Sequence, residues 1–226
     1  MKNTMNILLS FFLLLAALAP AWSAEDFEHE YRPKALPTES TPSWLLVGKA
    51  RDALVDVTSG QLQVSTMADK TFHYSLGLLA SGAAAGSGAE GWDASSGSST
   101  IEFRLRCEGE AAEASVFTLL VADGTLQWNI RFSPTTIKVS RGGQRRIDTT
   151  VPETYRVTLD QGQLQLSSAN GGVLFSRVPG QKGDGRNRLL FGSYPEENAP
   201  HARVTWELAF LRWTNQKAHS DPPAPH

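Results

Sequence analysis

Two seven-residue runs constrain this chain more than anything else in it. In IEFRLRC (101–107), Ile101, Phe103, Leu105 and Cys107 alternate with Glu102, Arg104 and Arg106. In LQWNIRF (126–132), Leu126, Trp128, Ile130 and Phe132 alternate with Gln127, Asn129 and Arg131. A strict period of two puts each apolar set on one face of a strand, an arrangement that a helical repeat of 3.6 would scatter. A sheet made of such strands must cover its apolar face with a second layer.

The pattern recurs. YRVTL (155–159) turns Tyr155, Val157 and Leu159 one way, and Asp160-Gln161-Gly162 then makes a hairpin turn before QLQLS. Ser133-Pro134 separates LQWNIRF from TIKVS, Arg141-Gly142-Gly143 closes that strand, and Ala122-Asp123-Gly124 joins two more. The one helical candidate, Leu78 to Ala85, is weakened by its glycines. Between Trp44 and Trp213 there is room for about a dozen such strands, so the expected fold is all-β, a two-sheet antiparallel β-sandwich.

Composition supplies the core for it, with six Trp and ten Phe. Lys and Arg total 21 against 23 Asp and Glu, a formal net charge of -2, which argues against nucleic acid or any partner chosen by bulk charge. Cys107 is the only cysteine, so no intramolecular disulfide can form. In phase with Ile101, Phe103 and Leu105, it reads as a buried small hydrophobe and not a nucleophile.

Residues 1–23 read as a signal peptide: Lys2, an apolar stretch from Ile7 to Ala19 shorter than the roughly 20 residues of a spanning helix, then Pro20 and the small-x-small pattern Ala21-Trp22-Ser23. The expected location is secreted or periplasmic, with no membrane span after cleavage. Residues 24–43 read as an extended, proline-bearing leader, 44–214 as one domain, and 215–226 as a disordered tail.

The succession WDASSGSSTIEFRLR (92–106), LQWNIRFSPTTIKVS (126–140), TYRVTLDQGQLQLS (154–167), RLLFGS (188–193) and VTWELAFLRW (204–213) resembles the laminin-G-like, concanavalin A-like lectin superfamily. The stretch Ser167 to Gly172 departs from the Val-Asp-Gly-like turn such modules often carry. The resemblance implies a jelly-roll sandwich that binds carbohydrate or another cell-surface ligand. It also leaves room for a glycosidase or polysaccharide lyase of the same fold, or for an assembly partner of an envelope protein.

The chemistry in the residues is sparse. A retaining glycosidase needs paired carboxylates, and the alternating Glu-x-Asp-x(x)-Glu pattern is absent. Glu102 is flanked by Arg104 and Arg106, while Glu108 and Glu110 read as a strand end. For a lyase, His73 and Tyr74 are candidate bases, one expected to pack inward and the other to meet solvent, and Arg131 and Arg156 are expected to share an outer face. No metal-ligating spacing is present, so no metal or other cofactor is expected. Loop oxygen donors (Asp93, Asp123, Asp184, Glu196, Glu197, Asn198) leave calcium open. Gly180 to Arg186 lacks the strand-loop-helix context of a phosphate cradle and reads as a flexible turn, and Arg141, Arg145 and Arg146 read as a solvated hairpin tip.

The candidate ligand-binding residues are therefore the planar polar set Glu102, Arg104, Gln127, Asn129, Arg131, Arg156 and Glu207, expected on outer faces. Trp92 joins them, expected to present its ring beside the loop 81–91, as does the loop from Tyr194 to His201.

Overall fold

Alternation turns into strands almost everywhere it occurs. The computed structural model describes residues 27–77, 92, 94 and 97–217. The strands, in chain order, are β1 (His29–Tyr31), β2 (Leu45–Gly48), β3 (Ala53–Thr58), β4 (Gln61–Met67), β5 (Phe72–Gly77), β6 (Gly97–Gly109), β7 (Phe117–Asp123) and β8 (Leu126–Phe132). They continue with β9 (Thr136–Val139), β10 (Gly143–Arg146), β11 (Glu153–Asp160), β12 (Gln163–Ser168), β13 (Gly172–Pro179), β14 (Gln181–Lys182), β15 (Asn187–Ser193) and β16 (Arg203–Lys217). The helical candidate Leu78 to Ala85 and the loop 81–91 lie outside the described residues. Among the described residues no helix is long and apolar enough to cross a membrane.

Two eight-stranded sheets result. Sheet A runs β13-β12-β11-β6-β16-β4-β3, and β1 extends it beside β16; sheet B runs β10-β9-β8-β7-β15-β5-β2, with β14 on β8. Among the described residues every pairing is antiparallel, and most join strands far apart in sequence, as in a jelly roll: β5 with β15, β6 with β16. The protein is a two-sheet antiparallel jelly-roll sandwich.

The inner faces carry the apolar phase of each strand. From sheet A come Ile101, Phe103, Leu105, Cys107, Tyr155, Val157, Trp206 and Trp213, and from sheet B come Phe117, Trp128, Ile130, Phe132 and Phe191, all essentially without solvent contact. Phe103 sits at the middle of this layer, its ring 6.1 Å from Phe117, 5.8 Å from Phe132 and 5.6 Å from Tyr155. Cys107 is fully buried there, and burial pushes its thiol well above the usual range, so no thiolate forms near neutrality.

Two local features depart from the simple alternation. In β16 the register slips between Leu208 and Phe210, so the inward phase passes from Val204, Trp206 and Leu208 to Leu211 and Trp213. The stretch read as a leader also joins the sandwich. β1 pairs His29 with Trp213 and Tyr31 with Leu211, Tyr31 is buried in the core, and Pro37–Glu39 form a short 3-10 turn. At the other end β16 runs on to Lys217, past the boundary expected at 214. Gln181–Lys182, inside the expected flexible turn, instead pair with β8.

Candidate functional site

Residues directly opposite across a strand pair share a face, and that rule divides the polar set into two. Glu102 and Arg104 on β6, Arg156 on β11 and Glu207 on β16 belong to the outer face of sheet A. Gln127, Asn129 and Arg131 on β8 belong to the outer face of sheet B. The core lies between them, so Arg131 and Arg156 point away from each other and share no surface.

The outer face of sheet A is an ion lattice. Glu102 lies opposite Arg156 on one side and Arg212 on the other. The residue is 3 % exposed, and its carboxylate accepts from Arg156 Nη2 at 2.8 Å and from Arg212 Nε at 2.9 Å. Arg212 in turn lies over the Phe27 ring, 4.3 Å from its centroid. Glu102 is therefore not a solvated group open to a ligand, and its partners are the cross-strand arginines and not Arg104 or Arg106. Arg106 pairs with Glu108 and reaches Glu207 at 3.3 Å, and Glu207 also accepts from Gln63 at 3.0 Å. Arg104 is exposed on the same face. A hollow of about 280 Å³ on this sheet is lined by Thr158, Asp160, Gln163, Leu164, Gln165 and Arg177.

Trp92 is also displaced from its expected role. It is buried, its indole Nε1 donates to the carbonyl of Ala122 at 2.9 Å, and its ring is part of the core. Indole combines a large apolar surface with one donor, so burial against a carbonyl satisfies both needs.

The outer face of sheet B is different. One row across it runs Lys138, Arg131, Thr118, Gly192, His73, Val47, and the next runs Asn129, Leu120, Leu190, Ser75, Leu45. A third holds Gln181, Gln127, Ala122 and Arg188. Asn129, Arg131, Lys138, Ser140 and Gln181 line a cavity of about 220 Å³. Among the described residues, half of the buried side-chain polar atoms that lack a protein hydrogen-bond partner belong to this one face: His73 Nδ1, Thr118 Oγ1, Gln127 Oε1, Asn129 Oδ1, Arg131 Nε and Arg188 Nε. A buried polar atom without a partner costs about 1–3 kcal/mol, so these atoms call for water or a ligand to meet them.

Tyr194 and Glu196, in the connection after β15, reach this face, while His201 pairs instead with Asp69. Tyr194 is exposed, its ring centroid 5.7 Å from that of His73, and Glu196 accepts from Arg131 at 2.5 Å and from Lys138 at 3.3 Å. Burial alone would raise the Glu196 carboxyl, but hydrogen bonds and charge from Arg131 and Lys138 outweigh it and hold the group below its usual range. His73 and Tyr74 are both buried, Tyr74 in the core and His73 on the outer face. Instead of meeting solvent, His73 is covered, and burial together with the charge of Arg188 lowers its pKa to about 4, so the imidazole is neutral at pH 7. Sequence reasoning missed that His73 meets Tyr194 and shares a face with Arg188, because only the β5–β15 pairing, with Gly192 opposite His73 and Arg188 opposite Gly77, brings them together.

The remaining expectations resolve simply. Asp123 accepts from the backbone of Thr125 and Leu126, and Asp184 pairs with Arg188 at 3.1 Å. Among the described residues no group of three acids, histidines or cysteines converges, and Asp93 lies outside them. Arg141, Arg145 and Arg146 do not converge either: Arg141 reaches the Gly180 carbonyl and Arg145 lies 5.8 Å over Phe175.

No protein-family model matches this chain, and no curated protein matches it by sequence. Solved structures do. An endo-acting O-glycanase from human gut microbiota, described with mucin breakdown, is 12% identical with a TM-score of 0.51 over 84% of this chain and 99% of its own. The alginate lyase A1-II', of polysaccharide lyase family 7, is 9% identical with a TM-score of 0.50, over 75% of this chain and 85% of its own. A sialidase is 8% identical with a TM-score of 0.52; this chain, 78% covered, spans only 17% of the sialidase's length. At these identities the likeness is one of fold, the jelly-roll sandwich, and not of family.

Proposed function

We propose that the outer face of sheet B binds a saccharide chain and that the protein is an exported carbohydrate-binding jelly-roll module. The observation that carries this reading is the gathering of buried, unpartnered hydrogen-bonding atoms on one face, beside the cavity of about 220 Å³ and the exposed ring of Tyr194. Sugar hydroxyls donate and accept at once, which is what amides, guanidinium N–H groups and a hydroxyl on one face require. An exposed aromatic ring adds an apolar platform for the sugar's C–H face. Glycan-active proteins on the same fold, the alginate lyase and the O-glycanase, support the general direction. On the outer face of sheet A the Glu102 carboxylate is taken by Arg156 and Arg212, and the hollow of about 280 Å³ there, though larger, is lined by no side chain with a buried polar atom lacking a partner.

Binding to a glycan panel, measured by thermal shift and then calorimetry, tests the reading. Replacing both Gln127 and Asn129 by Ala should weaken a glycan at least tenfold, while Arg104→Ala, on the opposite sheet, should leave it unchanged. A protein that no glycan stabilises, and that instead co-purifies with an envelope protein, would move the assembly-partner reading to the front.

A second reading, a polysaccharide lyase, draws on one observation: the neutral His73 imidazole lies beside Tyr194 and feels the charge of Arg188. Against it stands geometry. His73 and Arg131 are three interstrand spacings apart along their row, about 14 Å at the backbone, so a single sugar unit does not bring both to one carbon acid. Release of an unsaturated product from polyuronates, lost in His73→Asn, would establish it.

A further inference from the structure

We propose that the sheet B face is built for a carboxylated sugar and that Glu196 is a tethered competitor for the same seat. This rests on the saccharide-binding reading above and names its ligand class.

The argument begins with where the two cations point. Arg131 on β8 and Lys138 on β9 are cross-strand neighbours, and both donate to the same oxygen, Oε1 of Glu196, at 2.5 and 3.3 Å. Glu196 comes from neither strand, nor from any strand. It hangs from the connection between β15 and β16, 65 residues beyond Arg131 in the chain. A carboxylate is thus already placed on the cationic wall of a cavity whose other walls are neutral amides and a hydroxyl: Asn129, Ser140 and Gln181.

The surroundings show that Glu196 does not use up what the wall offers. Arg131 Nε remains buried without a protein partner, as does Asn129 Oδ1 beside it. A guanidinium can present two parallel N–H groups to one carboxylate, and here Glu196 accepts from Nη1. A sugar carboxylate entering the cavity can take the Lys138 ammonium and the guanidinium together, while its ring hydroxyls meet Asn129, Ser140 and Gln181. To do so it must displace Glu196, whose side chain is about a third exposed.

Two consequences follow. Neutral sugars bind without displacing Glu196 and gain nothing from the two cations. Acidic sugars gain both cations but compete with a carboxylate fixed nearby at high effective concentration. Removing Glu196 therefore tightens acidic ligands selectively. A partly exposed ion pair of this kind contributes modestly, so the expected gain is about two- to fivefold.

The test uses oligogalacturonate, oligomannuronate and hyaluronan oligosaccharides, each with its carboxyl-reduced neutral counterpart, titrated calorimetrically into the protein and its variants. The expected result is that at least one acidic oligosaccharide binds ten or more times tighter than its reduced form. Its affinity should fall as salt rises, Glu196→Gln should tighten it two- to fivefold, and Arg131→Gln or the more exposed Lys138→Gln should weaken it tenfold. Equal binding of acidic and reduced forms, with Glu196→Gln without effect, overturns the inference while the saccharide-binding reading stands. If acid selectivity is seen but Glu196→Gln leaves it unchanged or weakens it, the competitor role is overturned. If no oligosaccharide of either kind binds, both fall together.

Discussion

His73 makes stability depend on pH in a way that can be isolated. In the unfolded chain its pKa is near 6.5; in the folded protein burial and the charge of Arg188 lower it to about 4. Between these values the unfolded state binds a proton that the folded state refuses, so stability rises with pH across that window. The contribution is fully present above pH 6.5 and is lost as pH falls toward 4, below which both states are protonated. A shift of this size corresponds to about 3 kcal/mol at 1.36 kcal/mol per unit. Carboxylates titrate in the lower part of the same window, so the informative quantity is a difference. Urea unfolding of the protein and of His73→Asn should be measured at pH 7, 5.5 and 4.5. The variant should be the less stable at pH 7, or similar to the parent, and should gain on it by about 2–3 kcal/mol on going to pH 4.5. Direct NMR titration of the His73 ring should show no protonation above pH 5. Parallel curves for the two proteins, or a ring that titrates near 6.5, would show that His73 is hydrated and that the face over it is open.

Three further outcomes follow from the packing. Glu102→Ala leaves the Arg156 and Arg212 guanidiniums without their carboxylate; it should cost about 2–4 kcal/mol by urea unfolding, whereas Arg104→Ala should cost less than about 0.5. Gly192 has φ of +139°, and a Cβ there would stand 2.5 Å from the Phe72 carbonyl oxygen and 2.6 Å from His73 Cα. Gly192→Ala should therefore separate β15 from β5 and lower the thermal midpoint by several degrees, with glycan binding reduced in proportion. Cys107 should resist thiol reagents in the native protein and react only as the protein unfolds, at a rate that tracks urea concentration.

The alternation in IEFRLRC, LQWNIRF and YRVTL was enough to determine which side chains enter the core, because a strand's two-residue period is a local property that any pairing partner must respect. The all-β sandwich follows from the same runs, since each leaves one apolar face that only another layer can cover. Cys107 as a core residue followed from its phase alone. Pairing is a different matter. It joins β5 to β15 and β6 to β16 across more than a hundred residues, and nothing in a local pattern names the partner strand or its register. Hence only the tertiary structure could decide that Glu102, Arg156 and Glu207 face one way and Gln127, Asn129 and Arg131 the other, with the core between them. It also decided that His73 is covered, that Trp92 is buried against Ala122, that a slip in β16 turns Leu211 and Trp213 inward, and that the loop bearing Glu196 folds onto Arg131. Each is a contact between residues distant in sequence, settled by the register of long-range strand pairs that the alternation leaves open.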